Sequence, residues 1–175
     1  MFWTQHRFWT ALGQAAALAV LATACARPGF DGTTYRDSEV AFRVGPVPAS
    51  WHRIEVSETR LAFRDDQAQA LIAVGGRCDR DGDDVPLEAL THHLFLYFTN
   101  RHVEKQERVA LDGREALRTE LSAELDGVPR SFVIVVLKKD GCVYDFMLVT
   151  PPGALERTRQ SFDDFVRGFS ASTRS

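Results

Sequence analysis

The chain has 175 residues, with 21 lysines and arginines, 24 aspartates and glutamates, and a formal net charge of −3. This balance gives no basic footprint for nucleic acid, and no polybasic stretch is present that would bind anionic lipid. Without a targeting segment, about 150 residues remain, which suits one domain with its own core. No low-complexity segment and no second domain boundary interrupts this length.

The N-terminal segment is typical of a secretory signal. A short polar start, with Arg7 as its one formal charge, precedes an uncharged run at residues 8–24. The cleanest apolar part, residues 15–22, is shorter than the roughly 20 residues that span a bilayer. A permanent transmembrane helix is therefore not predicted.

The stretch LATAC, residues 21–25, resembles the lipobox of bacterial lipoproteins. The resemblance implies removal of residues 1–24 as a signal peptide, a diacylglycerol on the sulfur of Cys25 and an acyl group on its new amino terminus. Ala22 departs from the pattern, because leucine is commoner at that position. The alternative is an ordinary signal peptide with a chance cysteine. Several acyl chains would anchor the protein stably in a membrane, since one chain alone holds only marginally.

The chain after this cysteine predicts a tether, residues 25–34, that joins the lipid to a single domain at residues 35–175. Pro28 and two glycines favour a flexible connection. Ala26 stands where an aspartate retains lipoproteins in the inner membrane of well-studied enteric bacteria. In a double-membraned host with that sorting rule, we expect the periplasmic face of the outer membrane.

In the first half of the domain, short strands precede one helix. The strands are expected at residues 40–44, 52–56, 59–63 and 70–78. Pro86 in a first turn and an apolar stripe then predict an amphipathic helix that ends near Asn100. The stripe consists of Leu87, Leu90, Leu94, Tyr97 and Phe98.

The sequence also predicts the surroundings of three large apolar side chains in this half of the domain. Trp51 is expected to be at least partly buried where the first strands meet a helix, because its large ring is normally used in packing. Phe95 and Leu96 fall outside the apolar stripe of the helix. They either mark a contact with a partner or pack against a neighbouring strand or the chain terminus.

Two cysteines remain in the domain, Cys78 and Cys142. In an oxidising compartment an even number favours a disulfide, and this is the one possible pairing if Cys25 is acylated. The alternative is two separate buried thiols that pack as small hydrophobes. Neither cysteine lies in a C-x-x-C or C-x-x-C-H context, which disfavours a thioredoxin-like site and covalent haem attachment.

The second half of the domain contains regularly spaced turns. Asp-Gly pairs recur every 14 residues, beginning at positions 112, 126 and 140. Asp-Gly favours two-residue hairpins because glycine readily adopts positive φ. Alternating apolar residues at 117–125 fit a strand with one buried face, although leucines four apart also fit a helix; the flanking turns favour the strand. A four-strand antiparallel meander is predicted, with strands at residues 107–111, 117–125, 131–137 and 142–150.

A second helix follows the breaker Pro151-Pro152-Gly153 and closes the chain. One face of this helix collects Leu155, Phe162, Phe165, Val166 and Phe169. The predicted fold class is α+β, a twisted antiparallel sheet with the meander at its C-terminal end and both helices packed on it.

Two stretches carry a family resemblance: FRVGPVPASW at residues 42–51 and the final F-x-x-F-V-x-x-F pattern at 162–169. Together with the order of elements, they resemble the PsbP-like fold over most of residues 35–170. That α-β-α sandwich occurs in photosystem accessory subunits, a nuclear-import Ran-binding factor and bacterial lipoproteins. The resemblance implies a non-catalytic accessory or binding role, and no functional residue carries over.

Two stretches of the sequence carry residue types that bind metal ions. Asp79, Asp81, Asp83 and Asp84 supply the carboxylates that calcium prefers, but the twelfth position of an EF-hand would be Leu90 instead of glutamate. The alternative is a solvated turn whose aspartates favour the positive end of a helix dipole. His92 and His93 are adjacent on a helix and point about 100° apart, so they cannot easily share one zinc ion. No metal or cofactor site is predicted.

Catalytic motifs are also missing from the sequence, which has no G-x-S-x-G elbow, P-loop or dinucleotide-binding glycine motif. Tyr144 and Asp145 would lie on opposite faces of a strand, which makes them a poor acid-base pair. We therefore predict a lipid-anchored, non-catalytic accessory or scaffold protein with a protein partner in a cell-envelope complex. The alternative is a ligand- or ion-binding module with a pocket between sheet and helix.

Overall fold

The structure, a computed structural model, describes residues 29–78 and 85–172. The strands in these ranges are β1 Gly29–Phe30, β2 Thr34–Arg36, β3 Ala41–Arg43, β4 His52–Ile54, β5 Leu61–Asp65, β6 Ala70–Cys78, β7 Thr99–Leu111, β8 Arg114–Leu125, β9 Val128–Lys139, β10 Cys142–Thr150 and β11 Ser170–Ala171. The helices are α1 Leu87–Leu94 and α2 Leu155–Arg167. Neither of these two described helices has the length and apolar character that crossing a membrane requires.

Seven strands form the main sheet, which is antiparallel throughout and has the order β4-β5-β6-β10-β9-β8-β7. Its last four strands are consecutive in the chain, so the predicted meander is confirmed. The hairpins turn at the three Asp-Gly pairs, where the aspartates have φ between 47° and 53° and the glycines have φ of 74°. Both central residues are thus left-handed, as a type I′ turn requires.

One face of the main sheet packs against α2 and a small second sheet with the strand order β1-β2-β3-β11. Aromatic side chains fill this core. The ring of Phe146 lies 5.0 Å from that of Phe169 and 6.5 Å from that of Phe165, in edge-to-face arrangements that aromatic pairs prefer. The predicted C-terminal helix is confirmed, with Phe162 and Phe165 fully buried on its inner face.

The other face of the main sheet packs against α1, which buries Leu87 and Leu90 against β8 and β9. Successive side chains of a strand point to opposite faces, so β9 contributes to both cores. Its residues Val133, Val135 and Leu137 belong to the core under α2, whereas Phe132, Ile134 and Val136 belong to the core under α1. The two helices therefore enclose the sheet, which confirms the predicted α+β sandwich.

The mid-chain helix is shorter than predicted. It ends at Leu94, and β7 begins at Thr99, so the prediction of a helix to Asn100 is wrong. The backbone N–H of Phe95 donates to the carbonyl of His92 at 3.3 Å, which turns the chain out of the helix. The turn buries Phe95 and leaves Tyr97, a predicted member of the apolar stripe, 93% exposed.

The first half of the domain follows the predicted order of strands. Strand β6 has the predicted bounds, and the three strands before it, β3 to β5, form within or beside the expected ranges. Trp51 is buried, as predicted. Within the stretch predicted as a tether, residues 25–34, β1 pairs with β2 and the ring of Phe30 packs 5.7 Å from that of Phe63.

The predicted disulfide is present in the structure. Cys78 is the last residue of β6 and Cys142 is the first of β10, and the two lie directly opposite each other in the antiparallel pair. Their sulfur atoms are bonded, with the Cα atoms 4.0 Å apart. The bond joins the first half of the domain to the meander at one end of the sheet.

Candidate functional site

A groove of about 910 Å³ lies between α1 and the sheet and is the first of two candidate sites. It forms because β5 begins at Leu61, opposite Val74, so that within residues 29–78 and 85–172 no strand lies beside the last residues of β6 on that edge. Helix α1 contributes Ala89, Leu90, His93 and Leu94 to its lining. The sheet side and the neighbouring loops contribute Glu39, Glu58, Thr59, Arg60, Gly75, Gly76, Arg77, Val85 and Asp145.

Gly75 makes room in the groove for the carboxylate of Asp145. The two residues are directly opposite each other in the β6–β10 pair. A Cβ atom on Gly75 would lie 2.4 Å from an oxygen of the Asp145 carboxylate, closer than any side chain allows. A glycine inside an apolar strand often marks such a close approach. The carboxylate thus lies against the backbone of the neighbouring strand.

Asp145 forms an ion pair with Arg77 on the sheet side of the groove. The guanidinium of Arg77 donates to the carboxylate at 3.1 Å, and the Asp145 side chain is 19% exposed. Burial raises the pKa of Asp145, and Arg77 offsets this effect only in part. A raised pKa in the folded state means that this carboxyl favours folding below its ordinary pKa and loses that contribution as the pH rises through the raised value. Asp145 is therefore an ionisable group that the groove shields in part from water.

Arg60 binds the backbone of β6 at the edge where β5 does not reach. Its Nε donates to the carbonyl of Gly76 at 2.9 Å, which satisfies a backbone group that no described strand pairs with on that side. Its two terminal nitrogens donate to Asp37, at 2.9 Å, and to Glu39. Arg60 thus connects the main sheet to the loop between β2 and β3.

Asp37 is the most buried carboxylate in this network, with a side chain 6% exposed. Burial would raise its pKa, but the backbone N–H groups of Val40 and Glu39, at 2.7 Å each, together with Arg60, hold the pKa below its ordinary value. The hydroxyl of Tyr35 donates a further hydrogen bond at 3.1 Å. These bonds fix the position of Arg60 at the edge of the groove.

His92 and His93, the adjacent histidines of α1, point in different directions. His93 lines the groove, whereas the ring of His92 packs edge-on against Phe95 at 5.2 Å. Within residues 29–78 and 85–172, no cluster of three or more His, Cys, Asp or Glu side chains could hold a metal ion. The acidic stretch at 79–84 lies outside the described residues, as does Cys25.

The second candidate site, the apolar end, collects all five large apolar side chains that are exposed in the described part of the chain. They are Leu96, Tyr97, Val103, Leu125 and Val128, with exposures from 36% to 93%. Thr99 pairs with Glu124, and Leu125 pairs with Val128, so Leu96, Tyr97, Leu125 and Val128 lie at one end of β7, β8 and β9. Val103 pairs with Leu121 and lies four residues further along β7. Phe95 and Leu96 were the two residues outside the predicted apolar stripe of the helix. Phe95 is buried, and Leu96 belongs to the apolar end.

Tyr144 and Asp145 lie on opposite faces of the sheet, as predicted: Tyr144 belongs to the core under α2 and Asp145 lines the groove. The predictions from sequence missed the charged partners of the groove, Arg60 and Arg77. Two signals were present, namely the Gly75-Gly76 pair inside a long apolar strand and an aspartate in the middle of β10.

Comparison with known proteins adds information on the fold. No protein-family model matches the chain, and no curated protein matches it in sequence. The solution structure of CyanoP, the cyanobacterial PsbP of Synechocystis sp. PCC 6803, is similar with a TM-score of 0.55 and 16% identity, covering 86% of this chain and 99% of CyanoP. LpqN of Mycobacterium tuberculosis, described as involved in cell envelope biogenesis, is similar with a TM-score of 0.54 and 16% identity, covering 78% of this chain and 87% of LpqN. The chain therefore has a fold that resembles the PsbP-like proteins.

Proposed function

We propose that this protein is a lipid-anchored, non-catalytic accessory protein of the cell envelope that binds a protein partner through its apolar end. The observation that carries the proposal is that four of the five exposed apolar side chains lie at one end of the sheet, with Val103 further along the same edge strand. Scattered exposed hydrophobic residues are normal, but a contiguous group marks an interaction surface. The partner would cover Tyr97 and its neighbours and remove their apolar area from water.

The charges beside the apolar end favour a protein over a lipid surface as the occupant. Asp126 is exposed at the turn between Leu125 and Val128, and Glu124 lies two positions before it. These carboxylates would be repelled by anionic lipid headgroups. Arg101, whose guanidinium donates to the carbonyl of Phe95 at 3.2 Å, supplies a charge of the other sign. A mixed polar rim around an apolar centre is the usual anatomy of a protein–protein interface.

The proposed location rests on separate observations. The lipobox-like stretch at 21–25 favours export and lipidation at Cys25, and the Cys78–Cys142 disulfide suits an oxidising compartment. The structural likeness to LpqN, a protein involved in cell envelope biogenesis, supports the same location. Attachment to the membrane would then come from the lipid, and the apolar end would stay available for a partner.

Affinity capture from native membranes tests the partner surface, with the tagged full chain as bait. We expect the parent chain to enrich at least one envelope protein, and the double substitution Leu96→Ser with Tyr97→Ser to lose that protein. The control is Arg36→Ser with Arg43→Ser, two exposed residues of the small sheet, which should behave as the parent. If all three baits enrich the same proteins, the apolar end is not the partner surface.

The groove supports a second candidate function, the binding of a small ligand. The observation that favours it is the Arg77–Asp145 ion pair in a cavity of about 910 Å³ beside an apolar helix face. In a thermal-shift screen, a true ligand should raise the melting temperature of the parent but not that of Asp145→Asn. A ligand that stabilises both chains equally would bind elsewhere and exclude the groove.

A further inference from the structure

Strand β7 forms one edge of the main sheet and spans thirteen residues. Among the described residues, β8 is its one strand partner. Ten of its thirteen residues are exposed, and no described strand pairs with its outer row of backbone N–H and C=O groups. Such an edge can pair with a strand of another chain.

The charges in the middle of β7 are self-complementary. Residues 104–108 read Glu104, Lys105, Gln106, Glu107 and Arg108. In an antiparallel pairing of two copies centred on Gln106, each Lys105 lies opposite the Glu107 of the other copy. Each Glu104 likewise lies opposite the other Arg108. Because the pairing has twofold symmetry, this register brings four pairs of opposite charges together.

The neighbouring registers are disfavoured by the same charges. A slip of one residue in either direction places Glu104 opposite Glu107 or Lys105 opposite Arg108. A slip of two residues places Lys105 opposite its own copy or Glu107 opposite its own copy. Like charges directly opposite each other destabilise a strand pair, so the sequence selects the register centred on Gln106.

The positions of the side chains agree with this register. Gln106 donates to the hydroxyl of Thr119 at 2.9 Å, and Arg108 donates to Glu88 of α1, which places both on the α1 face. Lys105 and Glu107 lie on the other face and pair with each other at 2.8 Å. The register shift between Val103 and Lys105 limits the regular part of the edge to the residues from Lys105 onward, with Glu104 at its border.

We propose that the outer edge of β7 is a homodimer interface, in which two copies pair antiparallel about Gln106 and their main sheets join into one. The inference rests on the charges of residues 104–108 and not on the apolar end, of which Val103 alone adjoins this stretch. The two apolar ends would lie at opposite ends of the dimer, since the paired strands run in opposite directions.

Site-directed cross-linking of the full chain in detergent tests the register. Gln106→Cys places two cysteines directly opposite each other across the twofold axis, at a separation that a disulfide can bridge. Under mild oxidation, we expect a band at twice the mass of the 19.6 kDa chain. Ala110→Cys is the matched control on the same strand, because its opposite residue in this register is His102 and no such band should form. The parent chain controls for its own cysteines.

A charge exchange between copies separates pairing from folding. In the Gln106→Cys background, Lys105→Glu alone places Glu opposite Glu, and Glu107→Lys alone places Lys opposite Lys. Each should lower the cross-linked fraction, with an apparent dissociation constant raised on the order of tenfold. An equal mixture of the two variants restores opposite charges at both contacts and should recover cross-linking. If Gln106→Cys cross-links no more than Ala110→Cys, or if the mixture does not recover, the proposed interface is wrong.

Discussion

Removal of the disulfide should cost about 2 to 5 kcal/mol of the free energy of unfolding, a large part of the usual total. Cys78→Ala, Cys142→Ala and the double variant should lose similar amounts, because each breaks the same bond. The two cysteines are 64 positions apart, so the bond closes a long loop and restricts the unfolded chain. It also fixes the register of β6 against β10, the strands that carry the groove. Denaturant unfolding of the four chains measures these losses.

Reduction provides the control for the disulfide. A reductant should lower the melting temperature of the parent chain but not that of the double variant. Titration of thiols in the unfolded, unreduced protein should find neither Cys78 nor Cys142 reactive. Two reactive thiols, together with a melting temperature that reductant does not change, would contradict the structure at this position.

Asp37→Ala should destabilise the fold by about 3 kcal/mol, at the lower end of the range for breaking a buried ion pair. The substitution removes the acceptor for two backbone N–H groups, the hydroxyl of Tyr35 and the guanidinium of Arg60. Arg60 keeps its contacts with Glu39 and Gly76, which moderates the loss. Urea unfolding at neutral pH measures the difference between the parent chain and the variant.

Asp31→Ala is the matched control for Asp37→Ala. Asp31 accepts hydrogen bonds from the backbone N–H groups two and three residues ahead, as Asp37 does, but it is exposed and forms no ion pair with an arginine of the described residues. Asp31→Ala should lower the free energy of unfolding much less than Asp37→Ala does. An equal loss in the two variants would show that the turn, and not the Arg60 network, supplies the stability.

The pH dependence of the Asp37 variant has a definite sign. A lowered pKa means that Asp37 stabilises the fold above its ordinary pKa of 3.8, and that this contribution is lost as the pH falls through the lowered value. The difference in free energy of unfolding between the parent chain and Asp37→Ala should therefore be largest at neutral pH and should shrink below about pH 4. A gap that widens on acidification would contradict the assigned network.

The parts of the fold that depend on local signals could be predicted from sequence. The Asp-Gly turns fix the hairpins of the meander, since each turn needs two adjacent residues with positive φ. Strand β6 has the bounds predicted from its long apolar run, Ala70–Cys78. The packing of α2 followed from the spacing of Phe162 and Phe165.

The parts that depend on contacts between distant residues could not be predicted. The end of α1 is set by the burial of Phe95 and by the stacking of Phe98 on Phe132, 4.7 Å away, which no local pattern reveals. The groove is assembled from charges that the topology brings together. Arg60 meets Asp37 across 23 positions of sequence, and Arg77 meets Asp145 across 68.

The proposed function depends throughout on export and anchoring, so the state of Cys25 is its most direct test. The full chain and Cys25→Ser are expressed in a double-membraned bacterium with a labelled fatty acid, and the cells are separated into membrane and soluble fractions. The account predicts that the parent chain incorporates the label and sediments with membranes, whereas Cys25→Ser carries no label and its folded domain appears in the soluble fraction. Equal labelling of the two chains, or a parent chain that carries no label, would contradict it.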